Sequence, residues 1–144
     1  MVKDMKILAI DYGKARTGLA VSDLSCRLAV PLETVIEYNK DKLITHITEA
    51  AKKEQITRIL LGYPKNMDGS VGESAQKVEE LAEMLREQTG LDVILWDERQ
   101  TTKSAVAVLN NSNVRGKKRK AVIDTVAATI MLQEYLDYLQ QGEF

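Results

Sequence analysis

Residues 7–23, ILAIDYGKARTGLAVSD (Ile7–Asp23), contain two apolar runs joined by a glycine-bounded turn. Lys6–Ile10 and Thr17–Val21 each read as a strand, and DYGKARTG between them, with Gly13 and Gly18 bracketing the turn, makes the pair a hairpin. The first run stops at a carboxylate, Asp11. A strand that reaches solvent often ends in a polar residue, so this position alone decides nothing. Its meaning rests on what the rest of the chain brings to the same place.

Beyond the hairpin, the β-branched stretch Val30–Ile36, with Pro31 near its start, predicts an edge-like third strand. Leu43, Ile44, Ile47, Ala50 and Ala51 recur at helical spacing, which predicts a helix over Asp41–Lys53 with Asp41 as a cap. Ile56–Pro64 reads as a buried strand ended by Gly62 and Pro64, and NMDGSVGES after it as loop. An amphipathic helix follows from about Glu73 to Gln88, closed by Gly90, and leads into the strand Leu91–Arg99. Thr101 or Thr102 is placed to cap a helix reaching Leu109, NNSNVRG reads as loop, and Lys118–Leu139 as a long last helix. The order β β β α β α β α α predicts an α/β fold: a mixed five-stranded sheet, three strands antiparallel and then two parallel, flanked by helices. Ligands of such sheets gather at the carboxyl ends of the parallel strands, which puts Asp11, Gly62–Pro64 and Asp97–Glu98 on one expected rim.

The 144 residues fit a single domain, 1–144, and 44% apolar content supplies its core. A formal charge of −1 rules out a uniformly basic surface, so nucleic-acid binding has to use local clusters such as RGKKRK, Arg115–Lys120. One cysteine, Cys26, and one histidine, His46, exclude a disulfide framework and a Cys/His zinc site. With no signal-peptide layout and no membrane-length apolar run, a cytoplasmic protein without membrane contact is expected.

The third acid of interest is Asp124, in KAVIDTVAATIMLQEYL. Helical spacing aligns it with Ala128, Met131 and Tyr135, an otherwise small or apolar arc on which a carboxylate is costly unless paired or bound to a cation. Three carboxylates brought together repel one another, and a hard divalent cation with oxygen ligands, Mg²⁺ or Mn²⁺, relieves that repulsion. Two such ions about 3.5–4 Å apart suit phosphodiester hydrolysis, although spacing alone does not show that the acids converge.

DYGKARTGLAVSD, LLGYPKNMDGS, WDERQTT and KKRKAVIDTVAATIMLQEYL, in this order over nearly the whole chain, resemble the YqgF-type (RuvX-like) family of the RNase H-like superfamily. Members are described as Holliday junction resolvases and as nucleases that process the 5′ end of pre-16S rRNA. The resemblance implies an RNase H-like fold and a Mg²⁺- or Mn²⁺-dependent nuclease. Its metal-binding catalytic acids carry over onto Asp11, Glu98 and Asp124. Pre-16S rRNA is the first substrate it implies, and branched DNA the alternative.

Arg16 in the hairpin turn is a candidate phosphate contact or the partner of a nearby acid, and Arg99 beside Glu98 has the same two readings. Arg115, Lys117, Lys118, Arg119 and Lys120 read either as a solvated loop and helix start or, since positive charge at a helix N-terminus opposes the dipole, as contacts for an outside anion such as a nucleic-acid backbone. Such contacts position nucleic acid without reading its sequence. His46, Trp96 and Cys26 read as an ordinary histidine, a core aromatic and an inert thiol. Two rivals stay open: an ATP-binding phosphotransferase, whose phosphate-binding hairpin is similar but whose machinery closes two such domains, and a non-catalytic nucleic-acid-binding factor. Monomer and homodimer are both compatible with the sequence.

Overall fold

The computed structural model describes residues 5–64, 72–97 and 116–143, with side chains of the last segment described over 125–141. Among the described residues five strands and three helices follow one another: β1 (Ile7–Asp11), β2 (Arg16–Ser22), β3 (Ala29–Ile36), α1 (Lys40–Lys53), β4 (Arg58–Tyr63), α2 (Glu73–Thr89), β5 (Asp92–Asp97) and α3 (Gly116–Glu143). The helix expected between Thr101 and Leu109 lies outside the described residues. The sheet order is β3-β2-β1-β4-β5. β1–β2 and β2–β3 are antiparallel, whereas β1–β4 and β4–β5 are parallel, as the alternation of strands and helices predicts.

Strand alternation sorts the core into two layers. Leu8, Ile10, Leu19, Val21, Ile59, Leu61 and Val93 face α1 and α2, whose buried Leu43, Ile47, Val78, Leu81 and Leu85 complete that layer. Ile7, Ala9, Ala20 and Leu60 face the other way, onto Ala128, Met131, Leu132, Tyr135, Leu136 and Leu139 of α3. Small residues at Ala9, Ala20 and Ala128 let that helix lie close against β1 and β2.

Several element ends differ from the sequence reading for local reasons. α1 is capped by Asn39, whose side chain accepts from the Lys42 amide at 3.0 Å; Asp41 lies instead in the first turn, where its charge favours the helix dipole. Ile56 and Thr57 precede β4 because their amides bond to Ala51 O and Lys6 O, closing the end of α1 and meeting the start of β1. Gly90 ends α2 in the left-handed conformation, φ 70°, which glycine adopts without strain. α3 runs beyond both expected ends, taking in the good helix formers Lys117, Gln140 and Gln141 and, at its margins, Gly116 and Gly142.

Leu60 is fully buried in β4, with strands on either side and α3 above it. Leu60→Ala is expected to lower unfolding free energy by about 2–5 kcal/mol, read from the denaturant midpoint at unchanged slope.

Candidate functional site

The carboxyl ends of β1, β4 and β5 form one rim. Ile10 stands opposite Leu61, Leu61 opposite Leu95, and Tyr63 opposite Asp97, so Asp11 is level with Gly62 and Trp96. The expected meeting of Asp11, Gly62–Pro64 and Asp97 at one end of the sheet is therefore found. Parity then assigns faces: Asp11 follows Ile7 and Ala9 onto the α3 face. Ile94 and Trp96 of β5 pack on that same face. Glu98 and Arg99 come directly after β5 and lie outside the described residues, as does Arg115.

α3 is held to this rim by a hydrogen-bonded link. Asp11 pairs with Gly18, Gly18 with Thr34, and the Thr34 hydroxyl bonds to the Thr125 hydroxyl. One row across three strands thus ends on the helix residue next to Asp124. Farther along, the Gln133 side-chain carbonyl accepts from the Ala29 amide at 2.9 Å and its amide donates to Arg27 O at 2.9 Å, while Gln140 donates to Cys26 O at 3.3 Å. The helix accordingly runs from the Asp11 end of the sheet to the opposite end. Ala128, Met131 and Tyr135 are all buried against the sheet, and the helical backbone continues through position 124 on their arc. Lys117, Lys118, Arg119 and Lys120 belong to the first turns of the same helix, which extends roughly 13 Å past Thr125.

Arg16 opens β2 opposite Ile36 and shares the parity of Gly18 and Ala20, hence the α3 face. Among the described residues no ion pair engages it, so its reading as the partner of a nearby described acid finds no support. Gly13 is required by close approach: a Cβ there would stand 2.3 Å from Arg16 O. On the far side of the rim the Tyr63 hydroxyl donates to Glu79 Oε1 at 2.7 Å, tying β4 to α2. That bond to a carboxylate, with burial, holds the phenol above its ordinary pKa.

The three bland residues are placed as follows. His46 is exposed and pairs with Glu33 at 3.2 Å, away from the rim. Cys26 is buried in the β2–β3 turn, its thiol donating to Met5 O at 3.3 Å and pushed up in pKa chiefly by burial. Trp96 is only partly buried; its ring meets Tyr135 edge-on at 5.2 Å and Tyr138 at 5.6 Å, an aromatic group the strand pattern alone does not reveal. The Thr34–Thr125 link was equally hidden, since two threonines separated by most of the chain carry no pairing signal.

The oxygen-only donor set suits Mg²⁺ or Mn²⁺ better than a softer metal. Among the described residues no three His, Cys, Asp or Glu side chains gather. Asp11 is the one member of the expected acid set that they include with its side chain.

A five-stranded mixed sheet with a carboxylate at the end of its central strand and a long helix bound across one face is the RNase H-like arrangement of resolvases and related nucleases. Solved structures of that kind superpose on it: Thermus thermophilus RuvC in complex with a Holliday junction substrate (TM-score 0.62, 16% identity, 96% of this chain and 97% of that one) and the fowlpox virus resolvase with Holliday junction DNA (TM-score 0.58, 12% identity, 94% and 99%). Residues 5–138 match the family described as "RuvX: Holliday junction resolvase", and the chain belongs to that family. Relatives named "putative pre-16S rRNA nuclease" are 41% identical in Agathobacter rectalis (96% of this chain, 99% of the relative) and 41% in Desulfitobacterium hafniense (95% of each).

The hydroxyl pair is open to direct measurement. In a double-mutant cycle, Thr34→Val and Thr125→Val should show a coupling of about 0.5–1.5 kcal/mol in unfolding free energy. Additive effects would mean that the two hydroxyls do not hold the helix.

Proposed function

We infer that the chain is a divalent-metal-dependent nuclease whose work is the 5′-end maturation of pre-16S rRNA, in the cytoplasm. The observation that supports it most is the row Asp11–Gly18–Thr34–Thr125, which sets position 124 of α3 at the level of Asp11 and on the same face of the sheet. Glu98 follows Asp97, the last residue of β5, directly in sequence. Asp11, Glu98 and Asp124 would hold Mg²⁺ or Mn²⁺. When bound, the metal supplies a lowered pKa for the attacking water and neutralises charge on the phosphate.

The chain's own residues bind and orient the substrate. Lys117, Lys118, Arg119 and Lys120 on the first turns of α3, with Arg115 before them, attract the phosphate backbone. Arg16, and Arg99 next to Glu98, are the candidates for phosphates near the reacting bond. These contacts read charge and shape, so pairing and ends in the nucleic acid, rather than base sequence, decide where the acids act.

Cleavage of a four-way DNA junction is the second reading, favoured by the superposition on RuvC with such a substrate. A resolvase needs paired active sites and so a symmetric dimer, whereas trimming one RNA end requires a monomer only.

Asp11→Asn, Glu98→Gln and Asp124→Asn should each reduce Mn²⁺-dependent cleavage of 5′-extended ribosomal RNA by at least about a hundredfold, while leaving the melting temperature within a few degrees. Equal turnover by the wild type and all three variants would remove the acids from the chemistry. Turnover on a four-way junction but not on the RNA would make junction resolution the activity. Lysine and arginine removal makes a separate test: Gln at 117–120 is expected to reduce the slope of log binding constant against log salt by roughly 3, at about 0.7–0.9 per lost phosphate contact.

A further inference from the structure

The rim has a second side. Opposite the α3 face, a groove of ≈ 350 Å³ opens between the β1–β2 turn, the end of β4 and the start of α2, with Tyr12, Gly13, Lys14, Pro64, Ser74 and Lys77 among its lining. Lys14 and Lys77 come from separate elements, and both are exposed. No ion pair among the described residues engages either ammonium, whereas Lys6 and Lys40 are bound to Glu54 and Glu80. The Ser74 hydroxyl adds a donor to the same lining.

We propose that this groove seats a backbone phosphate of the nucleic acid, on the side of the rim away from α3, so that the strand is gripped on both sides of Asp11. Tyr12 and Gly13 follow Asp11 directly and Pro64 follows β4, so the groove adjoins the end of β1 where the carboxylate stands. The basic first turns of α3 lie on the other face. Two lysines lining one groove offer a point-charge seat for a phosphate rather than the planar fork that recognises bases. One grip fixes a strand at a single point and leaves it free to pivot; two grips on opposite sides define the bond presented to the acids. Lys14 and Lys77 act through the strand they hold and are positioning residues. The assignment rests on the nuclease reading for its substrate, and its test is made by binding without turnover.

Lys14→Gln, Lys77→Gln and the double variant would be compared with the wild type on a 5′-extended rRNA fragment and a four-way junction, by fluorescence anisotropy without divalent cation, across a salt series. The double variant is expected to flatten the salt slope by roughly 1.4–1.8 and to weaken binding about tenfold at moderate salt, each single variant giving about half of the slope change. In Mn²⁺-dependent cleavage, KM should rise about fivefold or more with kcat within about twofold. An unchanged slope and KM would overturn the proposal. ATP and inorganic phosphate serve as competitors: loss of ATP binding in the double variant with an unaltered nucleic-acid slope would assign the groove to a free nucleotide and overturn it equally. Wild-type protein that binds the RNA but never cleaves it would sink the nuclease reading, while the salt slopes still decide the groove.

Discussion

β1 has no free edge and no free face. Its neighbours hydrogen-bond to it on both sides, β2 antiparallel and β4 parallel, and Ile7, Leu8, Ala9 and Ile10 are all 0% exposed. A strand so enclosed can change direction or polarity only at its ends. Asp11 is the first residue at which the enclosure opens, so its carboxylate stands at a place determined by the strand's whole length of burial. The parallel pairing with β4 requires a crossover through α1, and pairing of β4 with β5 requires one through α2, which places both helices on the same face. Among the described residues, α3 covers the remaining face.

The two faces have different chemical characters as a result. On one, α1 and α2 close a layer of leucine, isoleucine and valine, and their polar sides turn outward to form ordinary ion pairs such as Lys40 with Glu80. On the other, one helix lies across four strands, with alanines at the closest approach and an aromatic group, Trp96, Tyr135 and Tyr138, at its flank. Arg58 donates to the Tyr135 hydroxyl at 3.0 Å, so even the buried part of this contact has a polar tether. Among the described residues α3 is the helix on this face, and its N-terminal part lies toward the end of the sheet where Asp11 emerges.

Much of this was readable in the chain because the signals were local. The apolar runs, the glycines of the turn at Gly13 and Gly18, and the 3.6-residue spacing of Ala128, Met131 and Tyr135 each report a neighbourhood of a few residues. The cap of α1 was misread because Asn39 and Asp41 are both capable acceptors and only backbone geometry distinguishes the residue before the helix from one in its first turn. What periodicity does not encode is pairing over long distances: Thr34 with Thr125, Gln133 with the β2–β3 turn, or Lys14 with Lys77 across a groove. These depend on register between elements, which is fixed by the whole packing. The shared rim of Asp11 and the end of β5, parity along β1 and the arc of α3 could be read beforehand, whereas the row that ties Thr125 to the level of Asp11 could not.

α3 is held at separate points along its length, by Thr125 on β3 and by Gln133 and Gln140 on the turn before it. Sliding the helix by one turn, about 5.4 Å, would break all of these bonds at once, so its axial position is discrete rather than adjustable. Among the described contacts, the level of residue 124 is therefore set from β3, across the sheet.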